Sequence, residues 1–168
     1  MNALQMSIAI ARFFDTSKNI IVPNVSWGLG IHECDVLVVT KARYAIEVEI
    51  KTSKADIVAD LKKQHGHESK KLRSLLFAIP KNLEHEHCID LIPERAGIII
   101  VYEHDHDHEN NHRLYCSVLR KAKINMDAEK LNEKDVLHVA RLGTMRIWNL
   151  KENIERLKEA KRNVRVLP

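Results

Sequence analysis

The stretch from His32 to Lys51, HECDVLVVTKARYAIEVEIK, decides the fold. Cys34 to Thr40 is an apolar, β-branched run, and Tyr44 to Lys51 alternates between apolar and charged residues, so each half reads as a short strand. Strand side chains alternate with a period of two. Tyr44, Ile46, Val48 and Ile50 therefore face one way, and Ala45, Glu47, Glu49 and Lys51 the other. A turn at Lys41-Ala42-Arg43, with Thr40 facing Tyr44, joins the strands into a hairpin. Counting outward, Leu37 lies opposite Glu47, Asp35 opposite Glu49 and Glu33 opposite Lys51. Directly opposite residues share a face at roughly 4.5–5.5 Å. One end of one sheet face thus collects Glu33, Asp35, Glu47, Glu49 and Lys51.

Such a face is unfavourable when nothing compensates it. Like charges repel across a strand pair, and ionised carboxylates beside an apolar sheet lose hydration. A divalent cation relieves both problems. Asp35 and Glu49 supply the hard oxygen ligands that Mg²⁺ or Mn²⁺ takes, leaving the other positions to water and a substrate phosphate. Lys51, two residues beyond Glu49 on the same face, is placed to orient a water or to neutralise charge on phosphorus. The plainer alternative is a solvated strand face on which Lys51 pairs with its acidic neighbours.

The residues around this hairpin extend the pattern. Asp35, followed by Glu49-Ile50-Lys51, resembles the signature of the PD-(D/E)XK nuclease superfamily. The longer series AIEVEIKTSKADIVADLKK, LLFAIP and LIPERAGIIIVY is similar to the MmcB-like DNA-repair subfamily within it. The likeness runs from about residue 30 to 103, with RLGTMRIWNLK as a looser extension. It implies a restriction-endonuclease-like three-layer sandwich and metal-dependent hydrolysis of DNA phosphodiesters. By it, Asp35 and Glu49 hold Mg²⁺ or Mn²⁺, Lys51 activates water and stabilises the phosphorane, and Glu33 or Glu47 is an auxiliary ligand or base. It also implies DNA as partner, in repair or mobile-element biology, and admits a homodimer. Gln64 matches a polar position on the helix after the lysine strand. The first helix departs from the superfamily pattern. It has no Asp or Glu before Asp15, and Gln5 is its only long polar side chain capable of ligation. A binding module that keeps the fold without cleavage is therefore the alternative function.

With 168 residues, 45% hydrophobic and 30% charged, the chain reads as a single globular domain able to bury a core without staples. The formal net charge of +4 is mildly basic and suits an anionic partner. Cys34, Cys88 and Cys116 are scattered among apolar runs and read as free buried thiols of a reducing compartment. No stretch has the length and apolarity of a membrane span or a signal segment, so the expectation is a cytoplasmic protein without membrane contact.

In order, the apolar spacing predicts a helix over 3–14 and a strand over 19–25, with Pro23 pointing to a sheet edge or a strand end. Trp27-Gly28-Leu29-Gly30 reads as a link. Ser53 and Asp56 form a box-like cap for a helix running to Lys63 or Gln64. Lys62 and Lys63, then Lys70 and Lys71, form a basic cluster. For the first pair, a complement to the helix dipole and a grip on phosphates fit equally. The second pair reads as phosphate-binding. Strands at 74–79 and 97–103 flank a short helix at 82–91, and a strand at 114–119 pairs with 97–103. This alternation predicts an α/β sandwich with a mixed sheet. Two helices, to about Arg141 and from about Thr144 to Lys161, are expected on either side of a break at Gly143, with Trp148 packed on the sheet or stacked on bases. The run from His104 to His112 reads as a hairpin loop, since its alternate spacing matches no structural zinc pattern.

Overall fold

The computed structural model describes residues 1–25, 29–62, 67, 69–85, 87–103 and 113–164. Helix α1 (Ala3–Phe13) precedes three strands, β1 (Ile20–Val25), β2 (Cys34–Val39) and β3 (Ala45–Ile50). Helix α2 (Lys54–Asp60) leads to β4 (Leu72–Pro80), β5 (Gly97–Glu103), β6 (Leu114–Arg120) and the long helix α3 (Glu133–Val164). The six strands form one sheet in sequential order, β1 to β6. Pairing is antiparallel for β1–β2, β2–β3 and β5–β6, and parallel for β3–β4 and β4–β5, so the sheet is mixed.

The hairpin forms in the expected register, with Leu37 opposite Glu47 and Val36 opposite Val48. Its turn is closed by Thr40 N donating to Tyr44 O at 2.9 Å and Arg43 N to Thr40 O at 2.7 Å. Arg43 takes a left-handed conformation (φ 65°), the geometry of a three-residue loop that ends in a bulge. This loop length sets the register, and the register decides which side chains face the core.

The sheet is covered on both faces, which makes three layers. On one face Met6, Ala9 and Ile10 of α1 pack over Val36, Val38, Val48, Ile50, Ala78, Ile99 and Val101. On the other, Ile57 of α2 packs with Leu75, Phe77, Ile79, Ile98 and Ile100. Beside it, Val139 and Leu142 of α3, with Leu131, pack on Val22, Leu37 and Ala45. Pro23 sits on edge strand β1, where its missing N–H leaves no ladder bond unmade. No helix among the described residues is long and apolar enough to cross a membrane.

Four expectations need correction. Gly143 does not break the C-terminal helix, because α3 is continuous from Glu133 to Val164. A Cβ at Gly143 would lie 3.3 Å from Val22 Cγ2, so the glycine permits close approach of α3 to β1. The helix begins after Asn132, whose Oδ1 accepts from Asp135 N at 2.9 Å. Trp148 does not pack on the sheet: it is 59% exposed, with Lys151 Nζ lying 4.6 Å from its ring centroid. The segment 82–91 is two 3₁₀ turns, Lys81–His85 and Cys88–Leu91, separated near His87, which is left-handed (φ 51°). Helix α2 ends at Asp60, short of the expected Lys63 or Gln64. Lys63 and Gln64 lie outside the described residues, as do Trp27, Gly28 and His104 to His112.

Candidate metal centre

Strand β3 carries Glu47 and Glu49 into the face covered by α2, and Lys51 follows directly. Lys51 N still donates to Ala78 O at 3.0 Å, which holds this residue to the sheet beyond the strand's end. The chain then enters α2 through Ser53, whose side chain accepts from Asp56 N while Asp56 Oδ2 accepts from Ser53 N. That capping box satisfies donors at the helix start and sets the direction of α2. Asp60, the last residue of α2, is thereby delivered over Lys51.

The result is a network of buried charge. Glu47 is 0% exposed, Glu49 2%, Lys51 6%, Asp60 5% and His67 5%. Lys51 Nζ donates to Glu49 Oε2 and Asp60 Oδ1, each at 2.7 Å. His67 Nδ1 lies 2.5 Å from Glu47 Oε1 and Nε2 lies 2.7 Å from Asp60 Oδ2. Phe77 walls the site, edge-on to His67 at 6.0 Å between centroids and 5.7 Å from Lys51 Nζ. Three carboxylates thus face two bases in a dry setting, where each ion loses several kcal/mol of hydration (roughly) unless it is paired. Burial pulls the His67 imidazolium down, but its hydrogen bonds to Asp60 and Glu47 outweigh that and raise its pKa to about 9. For Lys51, likewise, burial is outweighed by Asp60 and Glu49, so the ammonium is held above its ordinary value. Glu47 is raised, chiefly by burial and further by the neighbouring Glu49, against the lowering effect of His67.

This donor set fits a divalent cation. Glu47, Glu49 and His67 each offer a ligand atom within 4.8 Å of the others. Glu47 Oε2 is buried with no hydrogen-bond partner among the described residues, an arrangement that costs free energy as it stands. Asp35 sits differently. The strand register, carried one step beyond Val36–Val48, brings it level with Glu49, and its Oδ2 accepts from Ile50 N at 2.7 Å. Glu33 is exposed one residue before β2, so of the two auxiliary carboxylates it is Glu47 that enters the cluster. Gln5 is turned to another use on the opposite side of the sheet, where its side chain accepts from Asn2 N at 2.9 Å in the cap of α1.

Beside the cluster lies a cleft of about 760 Å³, with His67 as the shared wall. Lys70, Arg73, Arg95 and Lys123 line it, together with Asp127 and Glu129. Arg73 donates to Asn125 O at 2.8 Å and stacks 4.7 Å from the Tyr44 ring, while Lys123 reaches Glu94 at 3.2 Å. Of the anticipated basic cluster, Lys70 reaches the cleft and Lys62 is exposed just after α2. Lys71 instead pairs with Asp135 at 2.9 Å, tying the segment before β4 to α3.

Asp60 and His67 are the residues that sequence reasoning did not place. Asp60 had a signal in its spacing with Asp56 and Gln64 along one helix face. His67 had none beyond membership of a basic run, because its contact with Glu47 spans 20 positions.

No protein-family model matches the sequence, and no curated protein matches it. Among solved structures, the fold is similar to that of a protein of unknown function from Silicibacter pomeroyi, with a TM-score of 0.58 at 17% identity over 100% of this chain and 96% of that one. At that identity the likeness speaks for the fold alone: an α/β protein with a six-stranded mixed sheet between helical layers.

Proposed function

We propose that this protein is a metal-dependent DNA nuclease of the PD-(D/E)XK type, on a restriction-endonuclease-like sandwich. One observation carries the reading: a buried carboxylate cluster with a lysine inside it adjoins a cleft lined by four basic side chains. In this reading Glu49 and Asp35, with Glu47 as auxiliary, hold Mg²⁺ or Mn²⁺. Such an ion supplies Lewis-acid polarisation of the phosphate and lowers the pKa of a bound water. Lys51, fixed between Glu49 and Asp60, keeps one ammonium at the reacting centre. Lys70, Arg73, Arg95 and Lys123 position the backbone through phosphate contacts that carry no sequence information.

The second reading is a DNA-binding module without turnover. It is favoured by the closure of the Lys51, Asp60, His67 and Glu47 contacts upon one another, which resembles a buried ion-pair network. Cleavage of single-stranded, duplex and branched DNA in Mg²⁺ and in Mn²⁺, wild type beside Glu49→Gln, separates the two. The nuclease reading expects a cut in wild type and its loss in the variant. Binding without any cut, or equal cutting by both proteins, removes it.

A further inference from the structure

We infer that His67 is itself a ligand of the cluster's divalent ion, binding through Nδ1 beside Glu47 and Glu49, with Asp60 as its positioning residue. The inference rests on the reading of this cluster as a cation site and adds to it a nitrogen donor contributed from outside the strand pair.

Three independent features point the same way. First, a ring nitrogen of His67 and carboxylate oxygens of Glu47 and Glu49 lie within 4.8 Å of one another, close enough to share a single small cation, and Nδ1 is the nitrogen on the Glu47 side. Glu47 Oε2, fully buried, has no hydrogen-bond partner among the described residues. An ion seated among the three donors would use that oxygen.

Second, the other ring nitrogen is already engaged as a metal-binding histidine requires. Nε2 meets Asp60 Oδ2 at 2.7 Å, and Asp60 is held in turn by Lys51 on Oδ1 at 2.7 Å. A ligating imidazole almost always donates its second N–H to a carboxylate or carbonyl, which fixes the tautomer and the ring plane. Here the carboxylate is anchored at the end of α2, so the imidazole orientation is set by a helix rather than by a loop. Third, His67 has a left-handed backbone (φ 56°), a conformation that non-glycine residues adopt at a cost and that clusters at functional sites. It carries the imidazole into a site that strand β3 and helix α2 already define.

A nitrogen donor changes which ion the site selects. Carboxylate and water suit Mg²⁺, while imidazole raises affinity for transition ions. The site therefore favours Mn²⁺ over Mg²⁺, and His67 accounts for much of that preference.

The test is Mn²⁺ binding to the full chain, followed by isothermal titration and by electron spin-echo modulation of the bound ion. Wild type is expected to bind Mn²⁺ with a directly coordinated ¹⁴N signal. His67→Gln loses the signal and weakens Mn²⁺ binding by about 10-fold or more, with a smaller change for Mg²⁺. Asp60→Asn keeps the nitrogen signal and weakens Mn²⁺ selectively, by roughly the 10–100-fold typical of residues that orient a ligand. A fall of equal size for both ions would mark Asp60 as merely structural and overturn its part. Wild type that binds no Mn²⁺, or binds it without nitrogen coupling, overturns the assignment of His67 without recourse to any variant. DNA cleavage is scored separately. Nitrogen-coupled Mn²⁺ without cleavage sinks the nuclease reading and leaves His67 a ligand, and cleavage without nitrogen coupling does the reverse.

Discussion

Lys51 is the residue on which the charge balance of the interior turns. Its ammonium contacts Glu49 and Asp60 at 2.7 Å each, with 6% of the residue exposed. Replacing it with methionine keeps the bulk and removes the one ammonium that Glu49 Oε2 and Asp60 Oδ1 share in the buried network. Such a loss typically costs about 3–5 kcal/mol, so Lys51→Met is expected to lower the unfolding free energy by that order in urea titrations. His67 carries a pH signature of the metal-free protein. Its pKa is raised from 6.5 to about 9 by Asp60 and Glu47 against burial, so the folded state holds the proton longer than the unfolded chain. That stabilisation is complete below pH 6.5 and is lost as pH climbs through about 9. Glu47, also raised, acts in the same direction from a lower pH. Urea midpoints should therefore fall between pH 6.5 and 9 in the presence of a chelator, and His67→Gln should flatten the slope.

Among the elements, two glycines decide how strands and helix meet. A Cβ at Gly97, the first residue of β5, would come within 2.7 Å of Ala122 N and 2.9 Å of Arg120 O, both backbone atoms that cannot swing away. Gly97→Ala should destabilise by about 1–3 kcal/mol, the range for overpacking, seen as a lowered thermal midpoint. At Gly143 the nearest obstacle is a side-chain methyl of Val22 at 3.3 Å. Alanine there regains about 1 kcal/mol of helix propensity against a mild clash and should be close to neutral, while Gly143→Leu should push α3 from β1 and weaken the protein. The misplaced helix break at this position shows what periodicity leaves out. A glycine inside a helical pattern looks alike whether it ends the helix or lets a strand approach, and only the neighbour across the contact distinguishes the two. The capping box at Ser53 and Asp56 was legible because all its partners lie within four residues.

For the whole molecule, the distribution of burial and charge sets two expectations. From Ile147 to Arg162, α3 is exposed on all sides, including Ile147, Leu150, Ile154 and Leu157. Ending the chain after Leu150 removes no buried group among the described residues, so the unfolding free energy should change by no more than about 0.5 kcal/mol. The basic cleft answers to salt. If its cations contact phosphates, the dependence of log K on log salt should lose about one unit of slope for each phosphate contact removed. Anisotropy titrations of a DNA duplex at several salt concentrations, comparing wild type with Lys70→Ala and Lys123→Ala, measure this. An unchanged slope in both variants would remove the cleft from the binding surface.

The sequence alone determined what depends on neighbours and on alternation: the hairpin and its register, the Ser53–Asp56 cap, and the mixed α/β layering. In each case the interacting groups are a few residues apart, or the period of two forces the outcome. It also placed Glu47, Glu49 and Lys51 on one face. Tertiary structure decided what happens to that face. Packing of α2 excluded water from it and set Asp60 against Lys51, and the left-handed turn at His67 brought an imidazole across to Glu47. It likewise assembled Lys70, Arg73, Arg95 and Lys123 into one cleft from segments spread over 54 positions. Such contacts leave no local pattern, because the chain between their partners is free to take many paths and only the packed core selects one.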